Sequence, residues 1–137
     1  MRVDLSALPP WLDAETRALV RDKIDLLVSQ HPDILAVILY GSIARHEERS
    51  LDESDPSDVD LLAVLDTNDP QLIVSRLRTL VATMGQAEER HLNAPREVDV
   101  MFSSRTSQEW APEFIANVKR DGIVLYQRGE LPAPFVA

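Results

Sequence analysis

The chain has 137 residues, 45% of them hydrophobic and 27% charged, and it has no cysteine. That is enough chain for one hydrophobic core, and the missing cysteines exclude disulfides and thiolate metal sites. The formal net charge of −9 excludes broad binding of nucleic-acid phosphates, which needs a basic surface; it suits solubility, a metal site built from carboxylates, or a basic protein partner.

The N-terminal stretch MRVDLSALPPWLDAE lacks the apolar core of a signal peptide. No stretch approaches the roughly 20 apolar residues of a membrane span. A cytoplasmic protein without membrane contact is the expectation. One domain is expected over residues 1–137, with its core at about 13–128 and irregular ends.

Asp13 suits the N-cap of a helix running to about Gln30, with Leu19, Ile24, Leu27 and Val28 on its apolar face. His31-Pro32-Asp33 ends it, because proline disfavours helical geometry in the residue before it. Ile34–Tyr40 is an unbroken apolar run rich in branched residues, which reads as a buried strand. Gly41-Ser42 breaks the strand, and a short helix is expected from Ile43 to about Glu48. The polar run at 49–57 reads as a loop, and Val59–Leu65 as the second strand. Pro70 suits the first turn of a helix ending near Gly85, with Ile73, Leu77, Leu80, Val81 and Met84 apolar.

Residues 86–96 are polar, with room for a strand that the pattern does not place. Glu97–Phe102 is a strand, and Ser107–Asp121 a helix with Trp110, Phe114, Ile115 and Val118 on its core side and Gly122 as its cap. Ile123–Tyr126 is a last short strand. Phe135 and Val136 lie outside any clear element and read as a frayed end, with docking on a partner as the alternative. The order is an α/β pattern of helices packed on a sheet.

Asp58 and Asp60 open the second strand. Residues two apart on a strand share a face, with Cα atoms about 6.6 Å apart at roughly 3.3 Å per residue. Carboxylates at that reach can share a hard cation such as Mg²⁺, whose octahedral shell substrate phosphates complete. Asp99 interrupts the apolar strand Val98-Asp99-Val100-Met101-Phe102, where a carboxylate is costly unless it is paired or binds a cation. Convergence of the three would raise their pKa values unless a metal were present. Gly41 lets the backbone approach a ligand closely. The amides after it and the Ser42 hydroxyl can bind phosphate oxygens, with Arg45 three residues on. His31, His46 and His91 lack the spacing of a zinc site. Tyr40 lies beside the site and reads as a packing residue.

Taken together, LYGSIAR, SDVDLLAV and EVDVMF resemble the nucleotidyltransferase superfamily that includes DNA polymerase β, and most of all its minimal nucleotidyltransferase (MNT) branch. The resemblance covers roughly residues 15–128, including the ending RDGIVLY. It implies the nucleotidyltransferase fold, an α/β (α+β) architecture with a mixed central sheet. It also implies transfer of a nucleoside monophosphate, AMP from ATP, to an acceptor hydroxyl with Mg²⁺ as cofactor. On the family pattern, Asp58 and Asp60 hold the nucleotide-bound Mg²⁺, and Asp99 serves a second Mg²⁺ and the acceptor hydroxyl. Gly41 and Ser42 hold phosphates. Arg45 either offsets phosphate charge or forms a structural ion pair. The sequence departs from the pattern at His46, where a glycine is usual, and in a longer acidic loop carrying Glu47, Glu48, Asp52, Glu53 and Asp55.

Many MNT proteins are antitoxins that silence a HEPN-domain ribonuclease toxin by adding AMP to one of its tyrosines. The chain stops soon after the catalytic core, so the acceptor surface is expected from another chain or another copy of this one. Two alternatives stay open: a transferase acting on a small molecule such as an aminoglycoside, and a non-catalytic antitoxin that blocks its partner by binding.

Overall fold

The computed structural model describes residues 3–44 and 58–136. Helix α1 (Ala14–Gln30) starts where the sequence places it, with the Asp13 carboxylate accepting the Thr16 amide at 2.8 Å. Strand β1 (Ile34–Tyr40) follows, then one helical turn, α2 (Gly41–Ala44). The rest of the expected short helix, the polar loop at 49–57 and Arg45 lie outside the described residues. Strand β2 (Val59–Leu65), helix α3 (Pro70–Arg90), strand β3 (Val98–Ser103), helix α4 (Pro112–Asp121) and strand β4 (Ile123–Gln127) complete the order. No helix among the described residues is long and apolar enough to cross a membrane.

The four strands form one mixed sheet in the order β3-β2-β1-β4, with β2 and β3 parallel and the other pairs antiparallel. Six of the seven β1 residues are buried, because helices cover both faces. On one face α1 and α3 pack over Val37, Leu39, Leu61, Ala63 and Leu65, through Leu19, Ile24, Leu27, Ile73, Leu80 and Met84. On the other, Ile115 and Val118 of α4 pack over Ala36, Ile38, Leu62 and Val64.

Four expectations need correction. Helix α3 does not stop near Gly85 but runs to Arg90, so residues 86–90 are helical and no strand forms among residues 86–96. A mid-helix glycine costs only about 1 kcal/mol relative to alanine. Continuing the helix buries Ala87 and brings Glu88 to the buried Lys23 ammonium at 3.0 Å. Second, Leu77 and Val81 are exposed rather than in the core. Third, α4 begins at Pro112, not Ser107. Proline holds Ala111 extended, and Ser107 has φ +56. The residues between form a loop pinned by Glu109, whose carboxylate accepts the Ser104 amide at 2.6 Å and the hydroxyls of Ser103 and Ser104. Fourth, Phe135 is not frayed: it sits in a 3₁₀ turn and is buried with Ile115 and Val118. Gly122 does cap α4, though without left-handed geometry. A Cβ there would lie 2.3 Å from the Val118 carbonyl oxygen and 2.8 Å from Ile38.

His31 shows how α1 is tied to α3. Its ring is buried, with Nε2 at 3.0 Å from the Thr83 hydroxyl and Nδ1 at 2.8 Å from the Arg76 guanidinium, which also pairs with Asp33. A guanidinium only donates, so Nδ1 must accept and the ring must be neutral. Burial, then the Arg76 charge, hold its pKa below the usual 6.5. The unfolded chain therefore binds this proton more readily, and the contribution of the neutral ring to stability is present above about pH 6.5 and is lost as pH falls toward the lower folded value. Denaturant melts from pH 7.5 down to 5 should show stability falling with acid, and His31→Gln should flatten that slope. An unchanged slope in the variant would contradict this account.

Candidate active site

The sheet register brings the acidic residues together. In the ladder Asp60 lies between Tyr40 on β1 and Asp99 on β3. The Val59 amide donates to the Glu97 carbonyl at 2.8 Å, which locks the start of β2 against β3. Lys23 reaches up from α1 and donates to the carbonyl of Val98, the residue before Asp99. Strand alternation then puts Asp58, Asp60, Glu97 and Asp99 on the same face of the sheet, at the edge of the area that α4 covers.

Carboxylate oxygens of Asp58, Glu97 and Asp99 all lie within 4.8 Å of one another. Asp58 is half-buried, and Glu97 and Asp99 are exposed. Asp99 is thus not a buried carboxylate, as its apolar surroundings in sequence imply, because β3 is an edge strand. Sequence reasoning missed Glu97; its place two residues before Asp99 on one strand was the available signal. Asp60 is outside this group of three and turns to Gly41. Gly41 has φ +79, and a Cβ there would stand 2.4 Å from Asp60 Oδ2. Ser42 is half-buried on the same turn.

The donor set is all carboxylate oxygen, without sulfur or imidazole, which fits Mg²⁺ and not a soft metal. Tyr40 supplies the neighbouring polar group. Its pKa is pushed up to about 12, by burial first and then by Asp60 and Asp99, so at neutral pH it is an uncharged hydroxyl. Its ring meets Phe114 edge-on at 5.3 Å, and Phe114 meets Trp110 at 4.9 Å. The Trp110 indole donates to the Phe102 carbonyl at 3.1 Å. This aromatic row braces the ends of β1 and β3 from the α4 side. Trp110 and Phe114 are accordingly half-buried packing residues. Beyond β3, a cavity of about 300 Å³ opens next to the carboxylates, bordered by Leu19, Glu88, His91, Arg96, Glu97 and Asp99.

The family model described as "Polymerase beta, Nucleotidyltransferase" matches residues 22–131, from α1 to beyond β4. The chain belongs to this nucleotidyltransferase family. Among solved structures it is similar to a Sulfolobus solfataricus protein provisionally assigned as a nucleotidyltransferase, at 17% identity and a TM-score of 0.54, over 87% of this chain and 88% of that one. It is also similar to a chain of the MntA–HpeT toxin–antitoxin, solved as a tyrosine-to-alanine mutant, at 19% identity and a TM-score of 0.50, over 80% and 73% of the two chains. These likenesses show the nucleotidyltransferase fold. No curated protein sequence matches the chain significantly.

In this nucleotidyltransferase Gly41 answers two demands, a left-handed backbone and room for Asp60. Gly41→Ala should therefore lower stability by about 1 kcal/mol or more, since alanine at positive φ is strained. It should also push Asp60 out of place and, on the function proposed below, weaken Mg²⁺-dependent triphosphate binding. Chemical denaturation beside calorimetric nucleotide titration checks both, and a variant with unaltered stability and affinity would refute the close approach.

Proposed function

We propose that this chain transfers AMP from ATP to a hydroxyl on a partner protein, and that it is the antitoxin of a HEPN-domain ribonuclease toxin. The observation that carries the reading is the meeting of Asp58, Glu97 and Asp99 within 4.8 Å, with Asp60 across the ladder from Asp99 and against the Gly41-Ser42 turn, in a chain of this family. The toxin–antitoxin setting of the MntA–HpeT chain, whose fold this one shares, extends the reading to a protein acceptor. A cytoplasmic location follows from that role.

Asp58 and Asp60 would hold the Mg²⁺ that comes with the triphosphate, and Asp99 the acceptor-side ion, with Glu97 in reach of the same position. Bound Mg²⁺ supplies positive charge against the phosphates and the developing negative charge on the oxygens of the reacting phosphate. The residues of the chain do the rest. The Gly41 and Ser42 turn holds the β- and γ-phosphates through amides and a hydroxyl, with Arg45 near them. Asp99 orients the acceptor hydroxyl and takes its proton. The acceptor oxygen forms a bond to the α-phosphorus while the bond to the bridging oxygen breaks, and pyrophosphate leaves. Tyr40 stays protonated and can donate to an anionic oxygen at the site.

The test is transfer of label from α-labelled ATP, with Mg²⁺, to the co-encoded partner protein. Asp58→Asn and Asp60→Asn should each abolish transfer while the fold survives, because removing one like charge relieves repulsion. Full activity in both would sink the site. Asp99→Asn separates catalysis from binding. Triphosphate affinity should hold within a modest factor while transfer falls by roughly 10²–10⁴-fold, the usual cost of losing a general base. A parallel fall in both would make Asp99 a nucleotide-side ligand. Nucleotide binding by the wild type without label on any protein would favour an antitoxin that acts by binding alone.

A further inference from the structure

The cavity beside the carboxylates is built by a stretch of chain that its sequence marks as no element. Helix α3 runs past Gly85 to Arg90, and the chain then turns back toward β3. The turn is held by the His91 amide on the Glu88 carbonyl and the Ala94 amide on the His91 carbonyl, each at 3.1 Å. It leaves about 300 Å³ next to the start of β3. Buried Leu19 and Val98 and half-buried Ala94 give the cavity apolar walls, and Leu92, 84% exposed, stands at its rim. Glu97 and Asp99 border the same space.

Position says what the cavity receives. Strand order lays the site out across the sheet. Gly41, on the turn after β1, lies against Asp60 of β2; Asp60 lies across from Asp99 of β3; the cavity lies beyond Asp99. In such a transfer the attacking and leaving oxygens are roughly in line through the reacting phosphorus. With the leaving pyrophosphate at the Gly41-Ser42 turn, the acceptor comes from the opposite side, where the cavity is.

The lining narrows the acceptor. Apolar walls beside carboxylates match a side chain with an apolar body and a polar tip. Serine and threonine have no such body. The volume is at the bottom of the range for small-molecule sites, roughly 300–1,000 Å³, so it suits one side chain and not a multi-ring acceptor. The bordering cations are engaged by aspartates: Arg96 is 3.7 Å from Asp13 and His91 is 3.2 Å from Asp22. Glu88, Glu97 and Asp99 leave the cavity acidic, which favours basic residues on whatever docks there.

We propose, resting on the transfer described above, that this cavity is the acceptor subsite. It takes one tyrosine of the partner protein, flanked there by lysine or arginine, with the ring against Leu19 and Ala94 and the hydroxyl toward Asp99. The phenol oxygen bonds to the α-phosphorus, its proton passes to Asp99, and pyrophosphate leaves. Leu92 and Ala94 then set acceptor specificity.

The test uses the full chain, Mg²⁺, α-labelled ATP and the co-encoded partner protein. Leu92→Arg, at so exposed a position, disturbs no packing and opposes the basic flank. It should raise KM for the partner about tenfold or more, with kcat and calorimetric ATP affinity within about twofold. Ala94→Phe fills the cavity and should raise KM further, with an unchanged circular dichroism spectrum. Val74→Arg, at a 65% exposed position on α3 outside the cavity, should leave KM as it is. Peptide mapping should place the label on a tyrosine. An unchanged KM in Leu92→Arg, an equal rise in Val74→Arg, or label on serine or threonine overturns the subsite while the transfer itself stands. A wild type that labels no protein overturns the transfer, and the subsite with it.

Discussion

Everything at the candidate site depends on strand register forcing like charges together. Two carboxylates about 4 Å apart repel by about 1 kcal/mol in water, and more where solvent is partly excluded. Fully burying one Val, Leu or Ile side chain contributes about 1.5–3 kcal/mol. β1 buries six residues, and β2 buries Val59 and every residue from Leu61 to Leu65. The apolar strands therefore outweigh the repulsion at their ends, and the carboxylates stay where the ladder holds them. Lys23, the Trp110 indole and the Val59–Glu97 hydrogen bond fix β3, the strand at the edge of the sheet. A one-residue slip of β3 would turn Asp99 to the α1 side and Val98 or Val100 to the α4 side. The core is thus the reason the site exists.

How far the sequence could be read follows from the kind of signal each element leaves. β1, β2 and α1 are marked by long apolar runs, a capping aspartate and a proline, and they fall where those marks put them. The family motif made the nucleotidyltransferase fold legible as well. The errors lie where burial depends on what packs from far along the chain. Gly85 looked like a helix end, but the Lys23 ammonium, distant in sequence, rewards another turn of α3 through Glu88. Leu77 and Val81 fit the helical period, yet α3 is too near the sheet edge to bury them. Asp99 looked buried for the converse reason, since local sequence does not reveal which strand is at the edge. Phe135 has no periodic neighbours at all, and only the packed structure shows the gap between α4 and the sheet that it fills.

The same limit explains Glu97. A glutamate at the start of a strand is unremarkable, and the aspartates drew attention because they match a motif. Once Asp58 is placed across from β3, alternation alone puts Glu97 beside Asp99 and within 4.8 Å of Asp58. The site is therefore richer in oxygen donors than the three-aspartate pattern requires. Extra donors raise the repulsion in the metal-free state and the attraction for a divalent cation together. A site of this kind trades stability of the empty protein for affinity.

Gly41 and Asp60 join the two halves of the site. The turn that would hold phosphates and the carboxylate that would hold their metal are in contact, and only the missing Cβ allows it. Phosphate and metal positions are then not independent: a shift of the turn displaces Asp60, and displacement of Asp60 frees the turn. Tyr40, the residue before Gly41, faces Asp60 in the ladder and rests on Phe114, so the same strand end is held from the α4 side too. Transfer chemistry rewards this rigidity, because a group mispositioned by even about 1 Å can cost on the order of 10²-fold in rate. The aromatic row and the glycine contact thus do for the Asp60 end of the site what Lys23 does for the Asp99 end. Each converts packing in the core into a fixed distance between charges.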